Sequence, residues 1–303
     1  MPEYKGIDVS QWQGNINWAE VKSSGIQFAM IRATYGRGTD VSTDPRLLDN
    51  AAGCDTVGLP YGLYHYSYAK TVDEAVEEAK AFLKVIKDLQ PQMPVALDLE
   101  DSSQAGLPKE TLTNIARSFL KMVEAEKYYG ILYANYSWLT TRLDMSRLNG
   151  IDVWLAQWAS KPTYQGNFGM WQYGVIGKNG TKGVDYTIYG QVAGIQGNCD
   201  ADLAYQDYPQ IIRAAGLNHL GSSTEEPESA PEPEPIPEPE PEDGDKWSKI
   251  QCILRGLWKY LKLCLSNQWA TIKLRFMNFW SSVTRFFENL WASVYHFIQG
   301  LFR

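Results

Sequence analysis

The chain has 303 residues, 44% of them hydrophobic and 13% aromatic, enough for one core of roughly 200 residues with material left over. Its net charge of −7 is unevenly spread: residues 1–224 carry 19 bases and 24 acids, residues 225–245 ten acids and no base, and residues 246–303 nine bases and one acid. The large first block offers no basic surface for nucleic acid, and four cysteines without a C-x-x-C pair argue against a zinc site or a disulfide framework.

The N-terminus, "MPEYKGIDVS", reads as a strand, with no basic region followed by an apolar run. No secretory signal is therefore expected; the chain is expected to be made in a cytoplasm and to act after release. Apolar, β-rich runs follow at 4–10, 28–34, 59–68, 93–100 and 129–136. Helical patterns lie between them at 17–24, 44–57, 71–90, 108–128 and, briefly, 137–147. The third of these has Thr71 as N-cap, with Glu74 three residues on. After residue 150 only strand-like runs remain, at 152–158, 169–174 and 199–205, joined by loops.

Strand–helix alternation implies a parallel sheet covered by helices. Five such units and three further strands make eight, the number that closes a barrel. The expected fold is an α/β, TIM-like (β/α)5β3 barrel over residues 1–220; a doubly wound open sheet begins the same way. Residues 221–245 alternate Pro and Glu, a composition that buries no core and extends as a spacer.

"PVALDLED" (94–101) ends an apolar run in two acids. Residues i and i+2 of a strand share a face, so Asp98 and Glu100 project together, roughly 6–7 Å apart along it. Asp8 closes the first strand in the same way, and Asp200 lies early in the last. A lone Asp at a strand end is more often a turn former or a helix cap; four from three strands point to one site at the barrel mouth. Such a cluster binds a metal or divides into acid and base. His65 alternates with Tyr64 and Tyr66 on a core strand and reads as packed, while His219 and His296 lie off the barrel strands. No metal or cofactor is expected, and a His-based triad is disfavoured. Glycoside hydrolysis, which needs only two carboxyls, fits best. Strand aromatics, Tyr64, Tyr66, Tyr133, Trp154, Trp158, Trp171 and Tyr173, suit sugar faces or simply fill the core.

Over about residues 4–215 the chain resembles the glycoside hydrolase family 25 lysozymes, the muramidases of the Chalaropsis type. The resemblance rests on "GIDVSQWQGNINWAEVKSSGIQFAMIRATYG" (6–36), "GLYHYSYA" (62–69), "PVALDLED" (94–101), "ILYANYSWL" (131–139), "VWLAQW" (153–158), "MWQYG" (170–174) and "GIQGNCDADLAY" (194–205). It implies cleavage of the β-1,4 bond between N-acetylmuramic acid and N-acetylglucosamine of bacterial peptidoglycan, with an endolysin-like role. It also implies Glu100 as general acid, Asp98 facing the reacting 2-acetamido group, and Asp8 and Asp200 as the other acids of the pocket. Tyr66, Tyr133 and Gln157 are expected as substrate-binding or supporting residues. The family's last strand usually reads V-D-x-N; here it is Cys199-Asp200-Ala201-Asp202. Were Asp202 to reach the pocket, it would push the Glu100 carboxyl up and move the pH optimum with it. A chitinase-like barrel would want acids where Ala96 and Met93 stand. The alternative of another class is a non-catalytic glycan-binding barrel.

Residues 246–303 hold five of the eleven tryptophans, and apolar residues step by three and four, as in Trp247, Ile250, Leu254, Leu257 and Leu261. Two cationic amphipathic helices are expected. Their partner is an anionic membrane or wall polymer, or a second copy of the chain. The longest charge-free run, 289–302, is too short to span a membrane.

Overall fold

Strands β1 (Tyr4–Val9), β2 (Phe28–Arg37) and β3 (Asp40–Thr43) open the chain, followed by β4 (Tyr61–Ser67), β5 (Val95–Asp98), β6 (Gly130–Asn135) and β7 (Asp152–Ala156). β8 (Met170–Gly177), β9 (Thr187–Tyr189) and β10 (Cys199–Ala204) complete them. The structure, a computed structural model, describes residues 3–177 and 187–221. The expected tail at 246–303 and, beyond Gly221, the spacer lie outside the described residues.

Eight strands close in the order β1-β2-β4-β5-β6-β7-β8-β10 and back to β1. β3 hangs on β2 as a hairpin, and β9 pairs with β8. The eighth barrel strand corrects the all-parallel reading: β10 runs antiparallel to both β1 and β8. A parallel return would need a crossover to the far end of the barrel. Here the chain leaves β8 at the mouth and re-enters β10 at the same end.

Helices α1 (Trp18–Ser23), α2 (Leu47–Val57), α3 (Val72–Ile86) and α4 (Lys109–Ala125) cover the first strands. Their starts follow the sequence: Asn17 and Thr71 accept from the backbone N–H of Glu20 and Glu74. α3 buries Ala75, Ala79, Phe82 and Ile86, and α4 buries Leu112, Ile115, Phe119 and Val123, each a stripe at helical spacing. Each large side chain so buried stabilises by about 1.5–3 kcal/mol. Among the described residues no helix is long and apolar enough to cross a membrane.

The strands divide their side chains between two cores. Ile31, Leu63, Leu97 and Leu132 pack under the helices, while their neighbours Met30, Tyr64, Ala96 and Ile131 fill the barrel interior with Trp154. A helix absent from the sequence reading, α5 (Tyr208–Ala214), closes the lower end by placing Tyr208 and Ile212 in the interior cluster. Tyr208 donates to Asp152 at 2.7 Å, and Asn218 ties the following segment to Pro91, Met93 and Tyr129. A cavity of about 270 Å³ remains at this lower end, lined by Phe28, Met93 and Ala204 among others, and none of the strand-end acids reaches it.

His65 is packed. Its Nδ1 meets Thr34 Oγ1 at 2.8 Å, its Nε2 meets Glu78 Oε2 at 3.1 Å, and its ring stacks on Phe119. Glu78 also accepts from Ser67 Oγ and from the Gly38 N–H, so one buried carboxyl pins β4, the β2–β3 turn and α3 together. Glu78→Ala strands these groups without a partner and is expected to cost about 3 kcal/mol of unfolding free energy, read by urea titration.

Candidate active site

The mouth is built by strand ends. Asp98 is the last residue of β5, and Glu100 follows two residues on. Asp8 in β1 lies opposite Asp200 in β10. Because β10 descends from the mouth, its acid stands at the beginning of the strand, where the other strands carry theirs at the end. The structure brings Asp8, Asp98, Glu100 and Asp200 to one cavity of about 190 Å³, lined also by Tyr66 and Tyr133. Tyr66 donates to Asp101, which in turn caps the short turn at Ser102–Gln104.

Gln157 does not line this cavity. Its amide oxygen accepts from the Thr163 N–H at 2.8 Å, and its amide nitrogen donates to Thr163 Oγ1 at 2.6 Å, which folds the loop after β7. Gln172, one strand over, is the amide in the site. Its oxygen accepts from Tyr133 Oη at 3.0 Å and from the Trp158 indole at 2.9 Å. An indole N–H can only donate, so it fixes which way the Gln172 amide faces. The nitrogen is thereby aimed at Asp8 Oδ2, 2.8 Å away. Gln172 was legible in principle: in β8 it shares the inward face with Met170, and an amide that is 4% exposed must find partners.

A family model described as Glycosyl hydrolases family 25 matches residues 7–181. The chain belongs to glycosyl hydrolase family 25. It is 28% identical over 211 residues to Lysozyme M1 of Streptomyces globisporus, covering 65% of this chain and 66% of that protein. It is 27% identical over 199 residues to the autolytic lysozyme of Clostridium acetobutylicum, covering 65% and 55%. The matched stretch thus spans less than two thirds of either relative. The crystal structure of the bacterial lysozyme from Streptomyces coelicolor superposes with a TM-score of 0.55 at 26% identity, covering 73% of this chain and 98% of that one.

Within this family 25 barrel the mouth is crowded with acid, Asp8 and Asp98 buried and Glu100 and Asp200 half-buried. Burial, then the neighbouring Glu100 and Asp8, push the Asp98 carboxyl well above the usual range. Glu100 is raised by burial too, against hydrogen bonding from Asn135 that favours its anion. Asp200 is pushed up to about 8, by burial first and then by Asp8 and Glu100. Among the lining residues the one cation is Arg32. Among the described residues no group of three or more His, Cys, Asp or Glu is arranged to hold a metal ion.

Asp202 does not reach the cavity, the condition on which its effect at Glu100 depended. It is wholly buried beneath the mouth, absent from the cavity lining, and accepts from the Trp154 indole at 2.8 Å. Its neighbour is Asp8: burial, then contact with Asp202, hold Asp8 well above its usual value, and Asp202 itself rises to about 8, chiefly through burial. The strand period accounts for this, since Asp202 shares the inward face with Asp200 but lies one layer deeper.

These raised carboxyls make stability pH-dependent. Between about pH 4 and pH 8 the folded state holds protons that the unfolded chain has lost, so stability falls as pH rises through that window. Asp202→Asn keeps the acceptor for Trp154, adds a donor towards Asp8 and deletes one such group. Its Tm is expected to exceed that of the parent by several degrees at pH 8, with the gap closing towards pH 4. A gap of equal size at both ends would contradict the assignment.

Proposed function

We propose that the protein is a muramidase that hydrolyses the β-1,4 bond between N-acetylmuramic acid and N-acetylglucosamine in bacterial peptidoglycan. The observation that carries this reading is the pair Asp98 and Glu100 in one cavity, both raised, in a family 25 barrel. That two relatives are lysozymes supports the substrate class.

In this reading Glu100 is the general acid. A carboxyl held above its ordinary range keeps its proton near neutrality and can pass it to the departing glycosidic oxygen as the C–O bond breaks. Asp98, ionised, faces the positive charge that develops at the anomeric carbon. Water completes the reaction, its hydroxyl going to that carbon and its proton restoring Glu100. Asp8 and Asp200 complete the acidic wall, with Asp8 held by Gln172, while Tyr66 and Tyr133 serve the sugar from the sides. Gln157 supports the loop that carries Trp158 and takes no part at the bond.

For residues 246–303 the sequence supports envelope binding. Trp247, Trp258, Trp269, Trp280 and Trp291 recur every eleven residues, amid nine bases and one acid. An eleven-residue period is close to three turns of an α-helix, so a helix with this spacing carries all five indoles along one side. Indoles beside Lys and Arg suit the surface of an anionic membrane, whereas large rings pack poorly in the narrow seam of a coiled coil.

Two outcomes check these assignments. Glu100→Gln is expected to fold as the parent does and to lose at least about a hundredfold of its wall-lytic rate, the scale of one general acid; digestion of purified wall by the parent should leave muramic acid at the new reducing ends. The full chain is expected to co-sediment with vesicles containing phosphatidylglycerol but not with phosphatidylcholine alone. Replacing Trp258, Trp269 and Trp280 together by Ser should abolish that binding.

A further inference from the structure

Four acids line the mouth and a fifth lies beneath it, yet the cavity contains a single cation. Arg32 reaches it from β2. The ladder between β2 and β4 slips after Arg32, which pairs with Tyr64, so that the next matched pair is Thr34 with His65. A bulge of this kind re-aims side chains beside functional sites. Here it puts Arg32 and Tyr35 on one side, with the guanidinium 4.8 Å from the ring centre.

The guanidinium is anchored from behind. Its Nε donates to Asp44 Oδ2 at 2.8 Å, and Asp44, itself buried, also accepts from the backbone N–H groups of Gln11 and Arg46. Asp44 is therefore held by the loop that follows Asp8, and it holds Arg32 in turn. Three buried polar atoms are left over in and beneath the mouth, Asp202 Oδ2 the deepest of them. Arg32 Nη2, a donor, and Asp98 Oδ1, an acceptor, both lack a hydrogen-bond partner. An unmet donor and an unmet acceptor of opposite charge, walled into one cavity, are complementary to each other.

We propose that Arg32, anchored by Asp44, is the positioning residue that assigns the charge of the carboxyl pair to Asp98 and leaves the proton on Glu100. This rests on the muramidase reading above and names the device that divides the pair's roles. The need is physical. Asp98 is the more deeply buried of the two, and Glu100 has Asn135 to stabilise its anion. Left to those forces alone, the pair would settle with the proton on Asp98, the reverse of what an acid at Glu100 requires. The groups facing Asp98 are Asp8 from β1, Tyr64 and Tyr66 from β4, Glu100 and Asp101 beyond β5, and Tyr133 from β6. None of these brings a positive charge. Among the described groups that act on Asp98, Arg32 alone favours its anion.

The test compares pH profiles of kcat and KM on purified wall for the parent, Arg32→Gln and Arg32→Lys, with Tm recorded for each. Activity falls on the acid side as Asp98 takes up a proton. Loss of the cation makes that uptake easier, so the acid limb moves to higher pH. Arg32→Gln is expected to move it up by about one unit, to lower the plateau of kcat at least tenfold, and to leave KM within about threefold. Arg32→Lys, which keeps the charge, should hold the limb within about half a unit of the parent. A limb that does not move in Arg32→Gln, or moves equally in both variants, overturns the proposal. Should Arg32→Gln fail to fold, Arg32→Met stands in: it keeps the alkyl stem and loses the charge, and the limb must still move upward. A parent that releases no reducing sugar at any pH counts against the muramidase reading alone. In that event the carbon-13 titration of the Asp98 carboxyl, expected to shift upward in Arg32→Gln, decides the role of Arg32 without any activity.

Discussion

The structure turns on desolvated carboxyls that cannot all be ionised together. Asp8, Asp98, Glu100 and Asp200 share one small cavity with Asp202 beneath it, and each is raised, with burial the largest cause every time. Like charges at close quarters in a low-dielectric pocket repel strongly, so some of these groups must keep their protons near neutrality. In a solvated cleft the same side chains would be ordinary anions with no proton to give.

The barrel makes such crowding possible. Closure of eight strands brings β1 against β10, although they lie at opposite ends of the described domain, and sets Asp8 opposite Asp200. α5 packs Tyr208 and Ile212 into the interior at the lower end, which separates that end from the acids at the mouth. Hydrogen bonds then orient what closure assembles. Trp158 and Tyr133 fix the amide of Gln172, Gln172 holds Asp8, and Trp154 holds Asp202. Three aromatic residues thus help to position acids, two of them through indole N–H groups that cannot accept, as well as filling the interior.

Much of this was legible in the chain. The eight runs of apolar, β-rich sequence are the eight barrel strands, and Thr71 caps its helix as the pattern implied. The period-two rule sufficed to put Asp98 and Glu100 on one side. Other features were hidden for physical reasons. The direction of β10 depends on where the preceding loop leaves the barrel, which hydrophobic pattern does not encode. Gln157 lies just beyond β7 and Gln172 within β8, and hydrogen bonds to Thr163 hold the first in a loop while the second enters the site. Arg32 looks like any surface base until a register slip and Asp44 turn it inward. Asp202 stands one layer too deep to touch substrate, a distinction of a few ångströms along a strand.

Neutron diffraction from deuterium-exchanged crystals near pD 6 tests the central claim most directly, because it locates the protons themselves. The expected map shows deuterium on Glu100 and on at least one of Asp8, Asp200 and Asp202, with Asp98 bare beside Arg32. Five bare carboxylates at that pD would contradict the account.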